Sequence, residues 1–297
     1  MNTRVSSASP VSAGPNSTRA RGSATKADTP WQLVLFRRSL KKRATLRAIL
    51  DNLPDVSGKR CLEIGCATGV TSYFLRQQGG SWISLDFEAD HVASTRAIVS
   101  DRVAQVDESH IPFADGSFDC LVGINFLEHI EDDMAFLREM VRVLRPAGTL
   151  LLTGPRGETR RLAFRIKRML GLTSDTGGFG HARDGYPPQR VRAMLSDADL
   201  EIERLGSYSK FFTEVVEDFL NFAYHKVAAR KEKQVAAEHG DFHGETAPMS
   251  EGAFKQVGLA FQMYRLVYPI LRFVTSLDTL LFFTSGHMFV CTARKVS

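Results

Sequence analysis

Arg60-Cys61-Leu62-Glu63-Ile64-Gly65-Cys66-Ala67-Thr68-Gly69 is a short apolar run that gives way to small residues. The run reads as a buried strand, and Val70 to Gln78 behind it as a helix closed by Gly79-Gly80. A glycine loop between strand and helix lets the backbone turn sharply and lets a ligand approach the main chain. Two phosphate-binding readings of such a loop fail. Counting from Gly65, a dinucleotide fingerprint needs glycine where Ala67 and Val70 stand, and no Gly-Lys-Ser/Thr follows to make a Walker loop.

Outward from the loop the alternation continues. Trp82 to Asp86, Val103 to Asp107, Phe118 to Phe126 and Thr149 to Thr153 read as strands. Ala89 to Val99 and Asp132 to Leu144 read as helices, the second stopped by Pro146 and Gly148. Strands separated by helices imply right-handed crossovers and a parallel sheet, which binds ligands at the carboxyl ends of its strands. Three of those ends carry an acid: Glu63, Asp86 and Asp107. A carboxylate at Asp86 can accept both hydroxyls of a ribose, one at Asp107 can receive an exocyclic amino group, and together they describe a nucleoside with a cationic tail. Past Gly154 come a basic stretch, a Gly-rich loop with His181, a helix over Pro187 to Leu195 and a sixth strand over Leu200 to Phe212. Helical patterns over Thr213 to Gln234 and Ser250 to Phe283 follow, and His287 to Ala293 is a last strand.

With 43% hydrophobic and 24% charged residues the chain of 297 residues is globular in composition, and its net charge of +5 is unevenly placed. Residues 1–50 hold ten bases and one acid, so the remainder holds 28 bases and 32 acids. The body is mildly acidic, which argues against a broad nucleic-acid surface while leaving a local basic anchor. The first 28 residues, rich in Ser, Ala, Thr and Arg, are expected to be disordered, although a transit peptide shares that composition. Trp31 to Leu53 reads as one basic amphipathic helix ended by Pro54. Cys61, Cys66, Cys120 and Cys291 show no paired spacing, and free thiols in a cytoplasmic setting are expected, with no metal site.

The chain resembles the class I S-adenosylmethionine-dependent methyltransferases, in the small-molecule branch that includes quinone-biosynthesis methylases. The resemblance rests on Leu62 to Gly69, Asp86, Asp107 with Ile111 to Asp119, Leu127-Glu128-His129-Ile130, and Leu144-Arg145-Pro146-Ala147-Gly148. It implies an α/β, Rossmann-like seven-stranded sheet, mostly parallel with an antiparallel last strand, plus a helical insertion between strands six and seven. The organisation expected is a tail over 1–30, the basic helix over 31–53, a core of 54–212 completed by 285–297, and a helical cap over 213–284. The cofactor implied is S-adenosyl-L-methionine. Glu63, Gly65, Cys66, Ala67 and Gly69 would hold its methionine part, Asp86 its ribose and Asp107 its adenine amino group, with Phe87, Glu108 and Asn125 completing the site. Ala67 and Ala147 stand where the family often has glycine.

Methyl transfer is an in-line displacement at a sulfonium, so alignment and exclusion of water matter most, and a neutral hydroxyl acceptor also benefits from a base. His129 and His181 are the candidate bases. Of 20 phenylalanines, 11 lie between Phe211 and Phe289, which points to an apolar or lipid-linked small-molecule acceptor under the cap and O- or C-methylation. Two other readings stay open: an RNA or protein methylase that uses the basic arm, and a non-catalytic cofactor-binding module. Leu266 to Phe283 is interrupted by Arg272 and Asp278, each costing about 2.5–3.5 kcal/mol at mid-bilayer, and by Pro269. A span is not expected there, while peripheral contact with the inner face of a membrane stays open.

Overall fold

The computed structural model describes residues 30–157, 185–217, 219–220 and 258–296. His181, the expected disordered tail and much of the expected cap lie outside the described residues.

Seven strands form one sheet in the order β3-β2-β1-β4-β5-β7-β6. They are β1 (Arg60–Ile64), β2 (Ser81–Asp86), β3 (Val103–Gln105), β4 (Phe118–Ile124), β5 (Leu144–Pro155), β6 (Leu200–Tyr208) and β7 (Met288–Lys295). β1 pairs in parallel with both β2 and β4, whereas β7 runs antiparallel to β5 and β6, as expected. Inner strands buried on both faces read as continuous apolar runs, and β4 is one, with six of its seven residues buried apart from half-buried Asp119.

Helices cover both faces. α1 (Trp31–Phe36), α2 (Leu40–Leu50), α3 (Val70–Gln77) and α4 (Ala89–Val99) lie on one side, where Ile49, Leu75, Cys61, Cys120 and Val122 form one apolar cluster. α5 (Asp133–Val143) and α6 (Pro188–Ser196) cover the other, where Phe136, Leu137, Met140 and Leu195 pack on Leu62, Leu121 and Leu150. All four cysteines are buried free thiols.

Several element boundaries differ from the sequence expectation, each for a physical reason. The basic segment is two helices, because Ser39 takes the N-cap of α2 and its hydroxyl accepts from Lys42 N at 3.3 Å. β5 begins at Leu144 and runs through Pro146 and Gly148, with a register shift against β4 absorbing the extra residues. β6 ends at Tyr208, and Phe211 and Phe212 open the helix over 211–217 instead of extending the strand. Their first amides are capped from far along the chain, Asp278 accepting from Phe212 N at 2.8 Å and Thr213 N at 3.1 Å. The last helix, α7 (Gly258–Ser276), runs through Pro269, which sits on its exposed face, and a 3₁₀ turn over Leu277–Leu281 follows.

Ala67 and Ala147 both adopt left-handed backbone, with φ of 46° and 59°. Their departure from glycine is therefore paid in backbone strain and not in bulk. Ala147 is exposed, so Ala147→Gly is expected to stabilise the fold by about 0.5–1 kcal/mol, strain relief outweighing the added chain entropy. A lower midpoint in urea unfolding would contradict that reading.

Candidate cofactor and acceptor site

The β1–α3 loop is shaped by two glycines that no other residue could replace without displacement. Gly65 has φ +84°, and a Cβ there would lie 2.7 Å from the Ile124 carbonyl oxygen. Gly69 has φ +79°, and a Cβ would lie 2.6 Å from Thr95 Cα. The loop is thus pressed between the end of β4 and α4, and Gly69 starts α3. Cys66 turns its thiol inward, where Thr95 Oγ1 donates to it at 3.3 Å and burial pushes its pKa well up. Only its backbone is left to face a ligand. Glu63 is fully buried beneath α3, with Ser84 Oγ donating to it at 2.5 Å and Arg76 donating to the same Ser84 oxygen at 3.0 Å. Burial raises its pKa against the nearby hydroxyls and Arg76. It braces α3 against β1 and β2 and has no exposed surface.

Asp86 is the last residue of β2 and its carboxylate reaches the loop. Oδ2 accepts from Ala67 N at 2.8 Å, while Oδ1 accepts from Glu88 N at 3.2 Å and lies 2.9 Å from His91 Nδ1. Burial opposes its charge, yet the bonds from His91 and the two amides hold its pKa below the usual carboxylate range. His91 is made more basic, first by its bond to Asp86. Nothing in the sequence reading singled out His91; its position in the first turn of the helix behind Asp86 is the signal that was available. Asp107 lies two residues past β3, exposed, and its recorded bonds from Ser109 N, Ser109 Oγ and His110 N all fall on Oδ1. Glu108 beside it is exposed, and Phe87 is half-buried against the rings of Phe126 and Phe136.

A second group of polar side chains collects at the carboxyl ends of β4, β5 and β6. Asn125, at φ 46°, accepts from Thr153 Oγ1 at 2.9 Å. The Tyr208 hydroxyl is buried facing Thr45, Thr153 and Asn125, without a hydrogen bond of good geometry, and burial pushes it up to about 12. Glu128 is 3% exposed, its Oε2 has no hydrogen-bond partner, and burial pushes its carboxyl up to about 7. Lys41 of α2 is its nearest opposing charge and is itself paired with Glu214 at 3.3 Å. His129, by contrast, is exposed. The sequence motif that drew attention to His129 therefore also carried the buried acid, one residue earlier.

A family profile described as a methyltransferase domain matches residues 62–152, which span this loop, both aspartates and the β4 end. This part of the chain is a methyltransferase domain. The domain is similar to the ubiquinone biosynthesis O-methyltransferase of Xanthomonas oryzae pv. oryzae, 28% identical over 161 residues, covering 50% of this chain and 65% of that protein. It is also similar to the demethylmenaquinone methyltransferase of Beutenbergia cavernae, 39% identical over 108 residues, covering 36% of this chain and 45% of that protein. The chain thus spans less than two thirds of the length of these relatives. Among solved structures the YcgJ protein of Bacillus subtilis aligns at a TM-score of 0.51 with 17% identity, covering 86% of this chain and 99% of that one. The [4+2]-cyclase SpnF aligns at 0.51 with 18% identity, covering 92% and 85%. Those likenesses establish the Rossmann-like fold; since one neighbour is a cyclase, the fold does not by itself fix the reaction.

S-adenosylmethionine is the cofactor of such a domain, and the donor set fits it. Asp86 is an acceptor-only group that keeps one lone pair on Oδ2 for a sugar hydroxyl. The bonds recorded for Asp107 leave its Oδ2 to accept an amino group. The loop at Gly65 brings bare backbone to the end of β4, where a side chain would collide.

Proposed function

We propose that the chain transfers a methyl group from S-adenosylmethionine to a hydroxyl oxygen, or to an activated carbon, of a small apolar or lipid-linked acceptor. The observation that carries this reading is Glu128: a buried carboxyl near neutrality, beside the end of β4 where the loop closes, with one oxygen unclaimed. The bound cofactor supplies an electrophilic methyl on a positively charged sulfur. Glu128 would take the proton of the acceptor hydroxyl as its oxygen gains the methyl group, which the cofactor would release to become a neutral thioether. Asp86 and Asp107 hold the nucleoside, and Asn125 and Tyr208 line the side from which the acceptor enters. The names of the two relatives above, both quinone methylases, support an acceptor of this kind.

Extracts incubated with the protein and isotopically labelled methyl donor, then surveyed by untargeted mass spectrometry, test the reading without assuming an acceptor. Label is expected in small, organic-soluble molecules. Label confined to RNA or protein would replace the acceptor class. Donor binding with no label transferred would favour a non-catalytic module.

A further inference from the structure

α7 is held in a fixed rotation by three hydrogen bonds to the α1–α2 region. Tyr264 Oη donates to the Arg38 carbonyl at 2.5 Å, Tyr268 Oη to the Arg37 carbonyl at 3.2 Å, and Arg43 Nη1 to Tyr268 Oη at 2.5 Å. With those tyrosines turned inward, Leu266, Ile270 and Phe273 share the opposite face at spacings of four and three. Leu280, Phe282 and Phe283 continue the surface in the turn that follows, and all six residues are between 63% and 83% exposed. An apolar surface of this extent marks contact with a partner.

The charge around it says which partner. Gly258–Ser276 carries Arg265 and Arg272, both exposed, and no acid. Among the described residues neither of those arginines has a recorded ion pair. A protein partner would need to match a mixed surface, whereas large apolar side chains bordered by unpaired arginines complement a bilayer interface bearing negative headgroups. No described helix is long and apolar enough to cross a membrane, so the helix lies along the surface.

We propose that the outward face of α7 and the turn over 280–283 seats in the interface of an anionic phospholipid bilayer, with Arg265 and Arg272 on the flank of that face meeting headgroup phosphates. This deepens the reading of a lipid-linked acceptor, but it is tested without methyl transfer. The full chain is floated with vesicles of equimolar phosphatidylglycerol and phosphatidylcholine, and separately with phosphatidylcholine alone. Partitioning onto the anionic vesicles is expected to exceed that onto neutral ones by about 10-fold. The double variant Phe273→Glu/Phe282→Glu is expected to lose about 10-fold or more of it, and Arg265→Glu/Arg272→Glu to lose the anionic preference. These side chains are exposed, so circular dichroism and S-adenosylmethionine affinity should match the wild type. No flotation of the wild type, equal flotation on both vesicle types, or flotation unchanged in the variants would overturn the proposal. Flotation without S-adenosylmethionine binding would leave it standing and sink the cofactor reading instead.

Discussion

Asp86→Ala is expected to weaken S-adenosylmethionine binding by about 100-fold or more in a calorimetric titration. The lone pair left on Oδ2 can serve a ribose hydroxyl, and a hydrogen bond to a charged group contributes about 1.5–3 kcal/mol, so its loss alone is worth up to about two orders of magnitude in affinity. The variant also removes the acceptor that ties Ala67 N to β2 and leaves His91 without its closest partner, so loop and helix start both lose their anchor. Asp86→Asn keeps an oxygen for the Ala67 amide and should lose only about 10-fold, since the charge is what strengthens the remaining bonds. An affinity unchanged in Asp86→Ala would remove the sugar-binding role and with it the orientation of the nucleoside over the sheet.

The place of Asp86 at a strand end was legible from the sequence because it is set locally. A strand's last position is set by a few apolar residues before it, and an acid there, following a glycine loop, has few reasons to exist in so many copies. Arg60–Ile64 was legible on the same grounds, whereas the antiparallel run of the last strand came from the family resemblance alone. What could not be read locally are features made by distant parts of the chain. Phe212 lies in a pattern suited to a strand, yet Asp278 caps its amide and turns it helical. Ala67 and Ala147 are visible as substitutions, but their positive φ is not. Glu128 stands in a short motif where the neighbouring histidine looks more reactive. Its burial arises only once α2 lays Lys41 and Thr45 near the strand ends, and its pKa follows from that burial.

Glu128→Gln is expected to make the second large difference, and the change should appear in two independent measurements. A carboxyl whose folded pKa is raised to about 7 from an ordinary 4.5 binds its proton more tightly in the folded state. Its contribution to stability is therefore fully present below the unfolded value and is lost as pH rises through about 7. At about 1.4 kcal/mol per pH unit the loss is on the order of 3 kcal/mol, and the glutamine variant should not show it. Urea-unfolding curves of the two proteins should thus diverge across that interval, with the variant more stable at alkaline pH. Turnover should fall by about 10²–10⁴ while S-adenosylmethionine affinity stays level, as befits a proton acceptor that does not touch the nucleoside. Parallel pH profiles of stability would show that the carboxyl is not held neutral, and unimpaired turnover would show that the acceptor gives up its proton elsewhere.

The excursion between β6 and β7 leaves and returns through a narrow neck. His287 N donates to Ser209 O at 2.8 Å, Gly286 N to Ser207 Oγ at 2.9 Å, and Gly286 lies directly against the Tyr208 backbone. Because both ends are stitched to each other and to the sheet, the length of chain between them weighs little on the register of β6 and β7, each doubling of loop length costing only about 0.6 kcal/mol. Insertions between those two ends are therefore expected to leave the strand pairing and the turn at Gly65 undisturbed.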